Sequence, residues 1–296
     1  DAVPGDLHNL RLYQGDAIGR SVSTVRGQIR ILCAKIRHIA DALTPNFLDS
    51  RITGASMRNI RIHVETPLIS GADVVLPPDA AHHVAVVLRL RVGALLELFD
   101  GSGGSHRGRI LAIGKRFVTI QLETFDGRER ESPLQVTLVQ GISRGQHMDY
   151  TLQKAVELGV ARIVPVLTEH SNVRLDEARA GRRVAHWRRV VIGACEQCGR
   201  NRVPEVSTPQ PLARWLELDR SASKLVLDPD ADTRWSAITR PAAAISLLSG
   251  PEGGLSQAQI RAALAQGWQA LRLGPRILRT ETAAVAALAA CQALWG

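Results

Sequence analysis

The spacing of apolar residues divides the chain into parts with different rhythms. Residues 57–125 carry short alternating segments that predict β-strands, separated by glycine-containing turns. One short helix is predicted at about Ala80 to Leu90. The predicted strands are Arg61–Glu65, Asp73–Leu76, Ala94–Asp100, Arg107–Ile113 and Phe117–Glu123. This pattern is typical of a small β-barrel, which either binds RNA or is purely structural.

From Leu134 the pattern changes to an alternation of strands and helices. Asp149 is predicted to cap one helix, and the capping-box pair Ser256 and Gln259 opens another. A long helix with an apolar face runs from about Val184 to Cys198, and a terminal helix covers Glu281–Trp295. The predicted strands are Gln135–Ile142, Arg162–Leu167, Lys224–Leu227, Ala244–Ser249 and Leu271–Leu273. The alternation predicts an α/β domain with a mostly parallel sheet.

The first 56 residues lack the strand–turn rhythm of the segment that follows. Apolar residues from Val25 to Leu43 recur at helical spacing. We expect residues 1–56 to be an N-terminal extension outside the functional part, either an appendage or the product of an upstream start. The polar run 126–133, which ends in Pro133, is the best linker candidate. The expected domains are therefore 1–56, a barrel over 57–131 and an α/β domain over 132–296.

Charge and composition limit the range of possible binding partners and cellular settings. The 37 Lys and Arg residues outnumber the 28 Asp and Glu residues, and only four of the 37 are Lys. Arg pairs with phosphate and stacks on bases, so this excess favours nucleic acid, although a GC-rich genome explains it about equally well. No stretch reaches about 18 uninterrupted apolar residues, so we expect no membrane span. Four irregularly spaced cysteines favour a reducing cytoplasm.

Two glycine-containing turns near the C-terminal end are the strongest local signal. They lie in residues 247–256 and 271–282, and each follows an apolar strand and leads into a helix. Ligands bind at the carboxyl ends of strands in open α/β sheets, so the turns lie where a cleft is expected. Neither matches a dinucleotide fingerprint or a phosphate loop, which argues against dehydrogenases and P-loop ATPases.

Charged residues near these turns are candidates for contacts with substrate. Arg276, Arg279 and Glu281 cluster within six positions, and Arg144 follows the first predicted strand of the α/β domain. Each is either a contact to phosphate or base, or part of a solvated loop.

A single Cys-x-x-Cys lies in the segment from Cys195 to Arg200, at the end of the long helix. Zinc needs four ligands, so no metal site is expected. Instead, Glu196 and Arg200 are predicted to face an adjacent substrate site. Arg61 and Arg89 belong to a predicted basic face of the barrel; a solvated surface is the alternative.

Together these stretches resemble the RsmE family, the small-subunit ribosomal RNA uridine-N3 methyltransferases of the knotted SPOUT superfamily. The resemblance covers roughly residues 57–296, and its matching stretches are residues 99–101, 143–145, 153–159, 195–200, 250–254 and 273–283. It implies a PUA-like barrel that binds RNA, followed by a SPOUT domain whose last segments form a deep trefoil knot. It also implies a cytoplasmic homodimer that acts on 16S ribosomal RNA, within the assembled small subunit.

The resemblance further implies S-adenosylmethionine as cofactor, held by the knot loops. Carried over to this chain, the cofactor pocket is formed by Leu248, Gly250, Leu273, Gly274, Ile277 and Leu278. The catalytic candidates are Arg144, Arg279 and Glu281, and the residues expected to bind substrate are Arg61, Arg89, Glu196, Arg200 and Arg276. A ribose 2′-O-methyltransferase of the same superfamily and a non-catalytic RNA-binding assembly factor remain alternatives; a nucleotide-dependent oxidoreductase is disfavoured by the missing fingerprint.

Overall fold

Two β-sheets organise the part of the chain that the structure describes. This computed structural model describes residues 60–171, 176–242 and 244–296. The helix predicted between Val25 and Leu43 lies outside these residues. Among the described helices, none is long and apolar enough to span a membrane.

The first sheet has five strands in the order β1-β3-β4-β5-β2. Its strands are β1 (Arg61–His63), β2 (Asp73–Val75), β3 (Leu95–Phe99), β4 (Ser105–Ile113) and β5 (Val118–Asp126). β1 pairs in parallel with β3, and the other pairs are antiparallel. Alternate residues of these strands, such as Leu98, Ile110 and Ile120, are buried in one apolar cluster. Helix α1 (Pro78–His82) continues as a π-helical turn (His83–Val87) and adds Val84 to that cluster.

The second sheet is parallel throughout and has seven strands. Its main path is β12-β10-β11-β6-β7-β8, and β9 pairs with β7. The strands are β6 (Gln135–Gly141), β7 (Val160–Leu167), β8 (Glu205–Val206), β9 (Gln210–Pro211), β10 (Ser223–Leu227), β11 (Ala244–Ser249) and β12 (Gln269–Leu271). The central strands are apolar along their length because helices cover both faces.

Helices on both faces complete the α/β arrangement. They are α2 (Gly145–Glu157), α3 (Glu177–Cys198), α4 (Leu212–Leu218), α5 (Gln257–Ala265) and α6 (Thr280–Trp295), with a 3-10 turn at Trp235–Ala237. Residues of α2, α3 and α6 share one buried cluster with the sheet, whereas residues of α4 and α5 belong to another. The mixed α/β fold predicted from the sequence is therefore confirmed.

The structure corrects several local predictions. Helix α2 begins at Gly145, so Asp149 lies inside it and pairs with His186 instead of capping it. β12 ends at Leu271, where the predicted strand was expected to begin. The elements β8, β9 and α4 were not predicted, because two-residue strands and a seven-residue helix leave too short a pattern to detect. The capping box at Ser256 and Gln259 is present as predicted.

Candidate functional site

A cavity of about 580 Å³ opens at the carboxyl ends of β10, β11 and β12. These strands are neighbours at one end of the parallel sheet, so the loops that follow them converge. Its volume is within the range of small-molecule sites. The lining comprises residues 227–230, 249–255, 271, 273, 274 and 276–281, with His147, Gln257, Ile260 and Ala283.

Glycine shapes the two loops that enclose the cavity. At Gly250, an added Cβ would lie 3.0 Å from the backbone of Gly254 and Leu255, so a side chain there would force the loop to shift by a few tenths of an ångström. Gly274 has a φ of +139°, which other residues rarely adopt, and its missing side chain leaves open space. The two positions therefore keep the turn tight and the cavity free of side-chain atoms.

A buried hydrogen-bond network ties these loops to the central strand of the sheet. The Oγ1 of Thr280 donates to the carbonyl oxygen of Gly250 over 2.6 Å. The Nε2 of Gln140, at the end of β6, donates to Thr280 Oγ1 at 3.1 Å and lies 3.3 Å from the same carbonyl oxygen. The loop after β11 and the start of α6 are thus fixed to one another beneath the cavity.

The cavity brings together five of the six residues predicted to bind the cofactor. Four of them lie on the loop after β12 and one on the loop after β11: Leu273, Gly274, Ile277, Leu278 and Gly250. Leu248 does not take part. It is fully buried within β11 and packs in the core with Val139 and Val226. The cavity begins one residue later, at Ser249, so a contact between Leu248 and the cofactor stays a prediction.

Sequence reasoning missed the contribution of β10 to the cavity. Leu227 and the turn Asp228-Pro229-Asp230 line it, and Asp228 is buried with its Oδ1 accepting from the backbone of Asp230. An Asp-Pro-Asp turn directly after a strand was the available signal. It was overlooked because the prediction of a cleft rested on glycine-containing turns alone.

The rim of the cavity carries several charged residues. Arg276, Arg279 and Glu281 line it, whereas Arg144 lies beside it and its backbone N–H donates to Glu252 over 2.7 Å. All three arginines are exposed. None of the ion pairs found among the described residues involves their guanidinium groups. These guanidinium groups are therefore free to contact a phosphate or an anionic base, although the same cavity is also lined by the carboxylates of Asp228, Asp230, Glu252 and Glu281.

Glu281 has two carboxylate oxygens in different surroundings. Oε1 lies 3.1 Å from Nδ1 of His147, a residue that the sequence reasoning did not select. Oε2 is buried and has no hydrogen-bond partner within the described part of the chain. A buried charged oxygen without a donor costs about 1–3 kcal/mol or more, so its retention at a cavity calls for a partner or a role.

Three predicted substrate residues lie instead between the two sheets. Arg61 pairs with Glu97 and donates to Asn201 Oδ1 at 2.7 Å. Glu196 accepts from the backbone N–H of His63 at 2.9 Å, and burial raises the pKa of its carboxyl. Arg61 thus joins β1 to the segment after α3 and Glu196 joins the last turn of α3 to β1, and their contact with substrate stays a prediction.

Arg200 is the clearest correction. Its side chain is only 6% exposed and pairs with Glu131 at 2.5 Å, while Nη1 donates to the carbonyl oxygens of Val156 and Val160. Since these bonds engage the buried guanidinium, Arg200 is not available to a substrate. It holds the segment after the first sheet against α2 and β7.

The remaining candidates lie away from the cavity lining. Arg89 is exposed with a φ of +53°, immediately after the π-helical turn, and its contact with RNA stays a prediction. Cys195 and Cys291 are free and buried, and burial raises the pKa of each thiol to about 12. Both therefore stay protonated near neutral pH. No cluster of three or more metal-binding side chains occurs within residues 60–171, 176–242 and 244–296.

Comparisons with known proteins show which family the chain belongs to. Residues 130–292 match the model of an RNA methyltransferase domain, and residues 76–123 match that of an RNA methyltransferase PUA domain. A ribosomal RNA small subunit methyltransferase E from Buchnera aphidicola is 32% identical over 237 residues, which cover 80% of this chain and 94% of the relative. The chain belongs to the ribosomal RNA small subunit methyltransferase E family.

Solved structures of relatives agree with this membership. A crystal structure of a ribosomal RNA small subunit methyltransferase E from Neisseria gonorrhoeae, bound to S-adenosyl methionine, is 42% identical with a TM-score of 0.78. It covers 80% of this chain and 98% of its own. A Legionella pneumophila protein in complex with the cofactor SAM is 39% identical, with a TM-score of 0.78 and coverage of 81% and 99%. Family membership and the mixed α/β fold therefore agree with the resemblance drawn from the motifs.

Proposed function

We propose that this chain transfers a methyl group from S-adenosylmethionine to N3 of a specific uridine in 16S ribosomal RNA. The observation that carries the proposal is the cavity between the Gly250 and Gly274 loops, in a chain whose relatives hold that cofactor. The cofactor supplies an electrophilic methyl carbon on sulfur when it is bound. The protein supplies position and control of charge.

The lining of the cavity fits the cofactor. Three leucine side chains offer an apolar surface for the adenine ring: Leu227 at the end of β10, Leu255 after β11 and Leu273 after β12. The open space at Gly274 lets the backbone approach the ligand closely. Asp228 and Asp230 place carboxylates at the β10 edge, where hydroxyl or ammonium groups of the ligand find acceptors.

The arginines of the rim suit the other substrate. Uracil N3 carries a proton, and this proton must be removed for N3 to be methylated. Guanidinium groups of Arg144, Arg276 or Arg279 near the carbonyl oxygens stabilise the resulting anion or hold adjacent phosphates. Glu281 is one of the four carboxylates that line the same cavity. These roles are proposals that separate measurements of turnover and RNA affinity test.

The first sheet is proposed as the RNA-binding PUA-like barrel, within the domain bounds 57–131 and 132–296. Arg89, which is exposed before β3, is proposed to contact RNA. We further propose that the segments around the cavity form a deep trefoil knot. The bond between Thr280 and Gly250 supports this, since it brings the loop after β11 against the chain that enters α6.

A homodimer acting on the assembled small subunit in the cytoplasm completes the proposal. Large apolar side chains are exposed on α2, α6 and the loop between β12 and α6, namely Tyr150, Leu294 and Ile277. Light scattering on the purified protein reports the oligomeric state, and a monomer at micromolar concentration contradicts the dimer.

The experiment that tests the activity uses small ribosomal subunits from cells that lack this protein. Purified protein and methyl-labelled cofactor are added, and the nucleosides of the 16S RNA are analysed by mass spectrometry. We expect one new 3-methyluridine. Label in a ribose would instead indicate a 2′-O-methyltransferase, and the absence of both labelling and cofactor binding would indicate a non-catalytic RNA-binding protein.

A further inference from the structure

A buried asparagine fixes the segment that connects the two sheets. Asn201 follows α3 and is only 2% exposed. Its Oδ1 accepts from Nη2 of Arg61, on β1, at 2.7 Å, and its Nδ2 donates to the carbonyl oxygen of Arg128 at 2.9 Å. Arg128 lies in the connecting segment between β5 and β6. One side chain is thus bonded to the first sheet and to the segment that leaves it, while its own backbone belongs to the α/β domain.

Two glutamates of the connecting segment add further bonds. Oε1 of Glu129 accepts from the backbone N–H of Gly104, in the loop between β3 and β4, at 2.7 Å. The carboxylate of Glu131 accepts from the buried guanidinium of Arg200 at 3.0 and 2.5 Å. The connecting segment is therefore held on both sides, by the first sheet at Gly104 and by the α/β domain at Asn201 and Arg200.

Apolar packing across the same boundary is less directional than these bonds. Phe99, at the end of β3, is fully buried and belongs to the core cluster of the α/β domain. Apolar burial is roughly proportional to area and does not favour one angle, whereas a hydrogen bond requires both the right distance and the right direction. The polar groups around Asn201 therefore select one orientation of the first sheet among those that bury Phe99.

We propose that Asn201 is a positioning residue that holds the first sheet at one orientation to the cavity, so that RNA bound to both places a single uridine beside the methyl donor. The inference rests on the proposed function, in which the first sheet binds RNA. Asn201 does not line the cavity, so it acts only through this orientation. Two linked binding surfaces reinforce each other when their geometry permits simultaneous contact, and this advantage is lost when it does not.

Asn201→Leu removes both hydrogen bonds of the amide with little change in side-chain volume. The cavity keeps all of its residues, so we expect calorimetric binding of S-adenosylmethionine to be unchanged. The two RNA-binding surfaces no longer keep a fixed orientation, so kcat/KM for small ribosomal subunits should fall by at least about tenfold. Turnover is measured as 3-methyluridine formed in the 16S RNA at saturating cofactor.

A matched pair of variants at Glu129 keeps the test independent of a folding defect. The Glu129 side chain is 30% exposed, so the fold tolerates its replacement better than that of Asn201. Glu129→Gln retains an oxygen that accepts from Gly104, whereas Glu129→Leu does not, and both variants remove the same charge. We expect kcat/KM in Glu129→Leu to be roughly three- to tenfold below that in Glu129→Gln.

Leu216→Ala controls for a general loss of stability. Leu216 is buried on α4, in the apolar cluster that does not include Phe99, and it does not line the cavity. Urea unfolding should show a lower free energy of unfolding for this variant, while its kcat/KM at 25 °C stays that of the wild type.

The outcomes separate this inference from the proposed function. If the wild-type protein forms no 3-methyluridine, the proposed function fails. If the wild-type protein is active and Asn201→Leu lowers kcat/KM no more than Leu216→Ala does, the orientation fixed by Asn201 has no part in delivering RNA. If Asn201→Leu also loses affinity for S-adenosylmethionine, the residue acts on the cavity and the inference is wrong. If Asn201→Leu does not fold, the Glu129 pair decides, and equal kcat/KM values in its two variants overturn the inference.

Discussion

The hydroxyl of Thr280 lies 2.6 Å from the carbonyl oxygen of Gly250, although 30 residues separate them along the chain. This bond joins the two loops that enclose the cavity. Gln140 donates to the same hydroxyl from the central part of the sheet, so one buried side chain fixes three segments. The geometry of the cavity thus depends on Thr280 as much as on the glycines of its loops.

Replacement of Thr280 by valine tests this dependence. Valine keeps the shape but removes the hydroxyl, so the carbonyl oxygen of Gly250 loses its 2.6 Å bond and keeps only the longer one from Gln140 at 3.3 Å. We expect the free energy of unfolding to fall by about 1–3 kcal/mol, with weaker binding of S-adenosylmethionine by calorimetry. Thr282→Val, at an exposed position on the same helix, is the control. Equal effects of the two variants would contradict the role of the bond.

Replacement of Gly274 by alanine tests whether the shape of the cavity matters for cofactor binding. An alanine there must adopt a φ near +139° and adds a methyl group where the cavity is open. We expect a loss of stability of about 1–3 kcal/mol and, in addition, weaker cofactor binding. Gly267→Ala is the matched control, because its φ is +80° with open space but it does not line the cavity. Unchanged cofactor affinity in Gly274→Ala would place the ligand elsewhere.

A variant of Arg200 shows whether this residue has a structural role or binds substrate. Arg200→Met leaves the Glu131 carboxylate without its buried partner and removes the donor to the carbonyl oxygens of Val156 and Val160, so we expect destabilisation by about 3–5 kcal/mol in urea unfolding. Arg202→Met is the control, since its side chain is 59% exposed and 3.9 Å from Glu129. If Arg200→Met folds with wild-type stability and binds RNA more weakly, Arg200 is a substrate residue after all.

The arginines of the rim are expected to act on RNA. Arg279→Ala should weaken RNA binding, and the slope of log affinity against log salt should fall by about one for each phosphate that is no longer bound. Measuring turnover at saturating RNA separates a catalytic role from phosphate binding. Arg214→Ala, on the exposed side of α4, controls for the removal of one positive charge. Normal turnover and affinity in Arg279→Ala would remove Arg279 from the site.

The buried thiol of Cys291 predicts a pH dependence of stability. Burial raises its pKa from 9.0 to about 12. Between these values the unfolded chain has released the proton and the folded chain retains it, so this contribution to stability is intact below pH 9 and is lost as the pH rises towards 12. In Cys291→Ala, urea unfolding should show a shallower decline over this range, by up to about 1.4 kcal/mol per pH unit. Identical declines in both proteins would contradict the assignment.

The sequence predicted the elements whose pattern repeats and missed those set by tertiary contacts. The capping box at Ser256 and the apolar strand before Gly250 are local signals, and both were predicted correctly. Arg61 and Arg200 looked like surface cations, because nothing in the sequence shows that Glu97 and Glu131 lie beside them. Similarly, His147 acquires its partner only when α2 and α6 pack together.

The hydrogen bond from Gln140 to Thr280 also bears on the order in which the protein matures. A translating ribosome adds the second residue roughly 7 to 28 s after the first, at about 5 to 20 residues per second over 140 positions. A nascent chain that has not yet been synthesised as far as the start of α6 lacks the residues of α6 that line the cavity. The cavity is therefore incomplete until the ribosome has synthesised the first turn of α6.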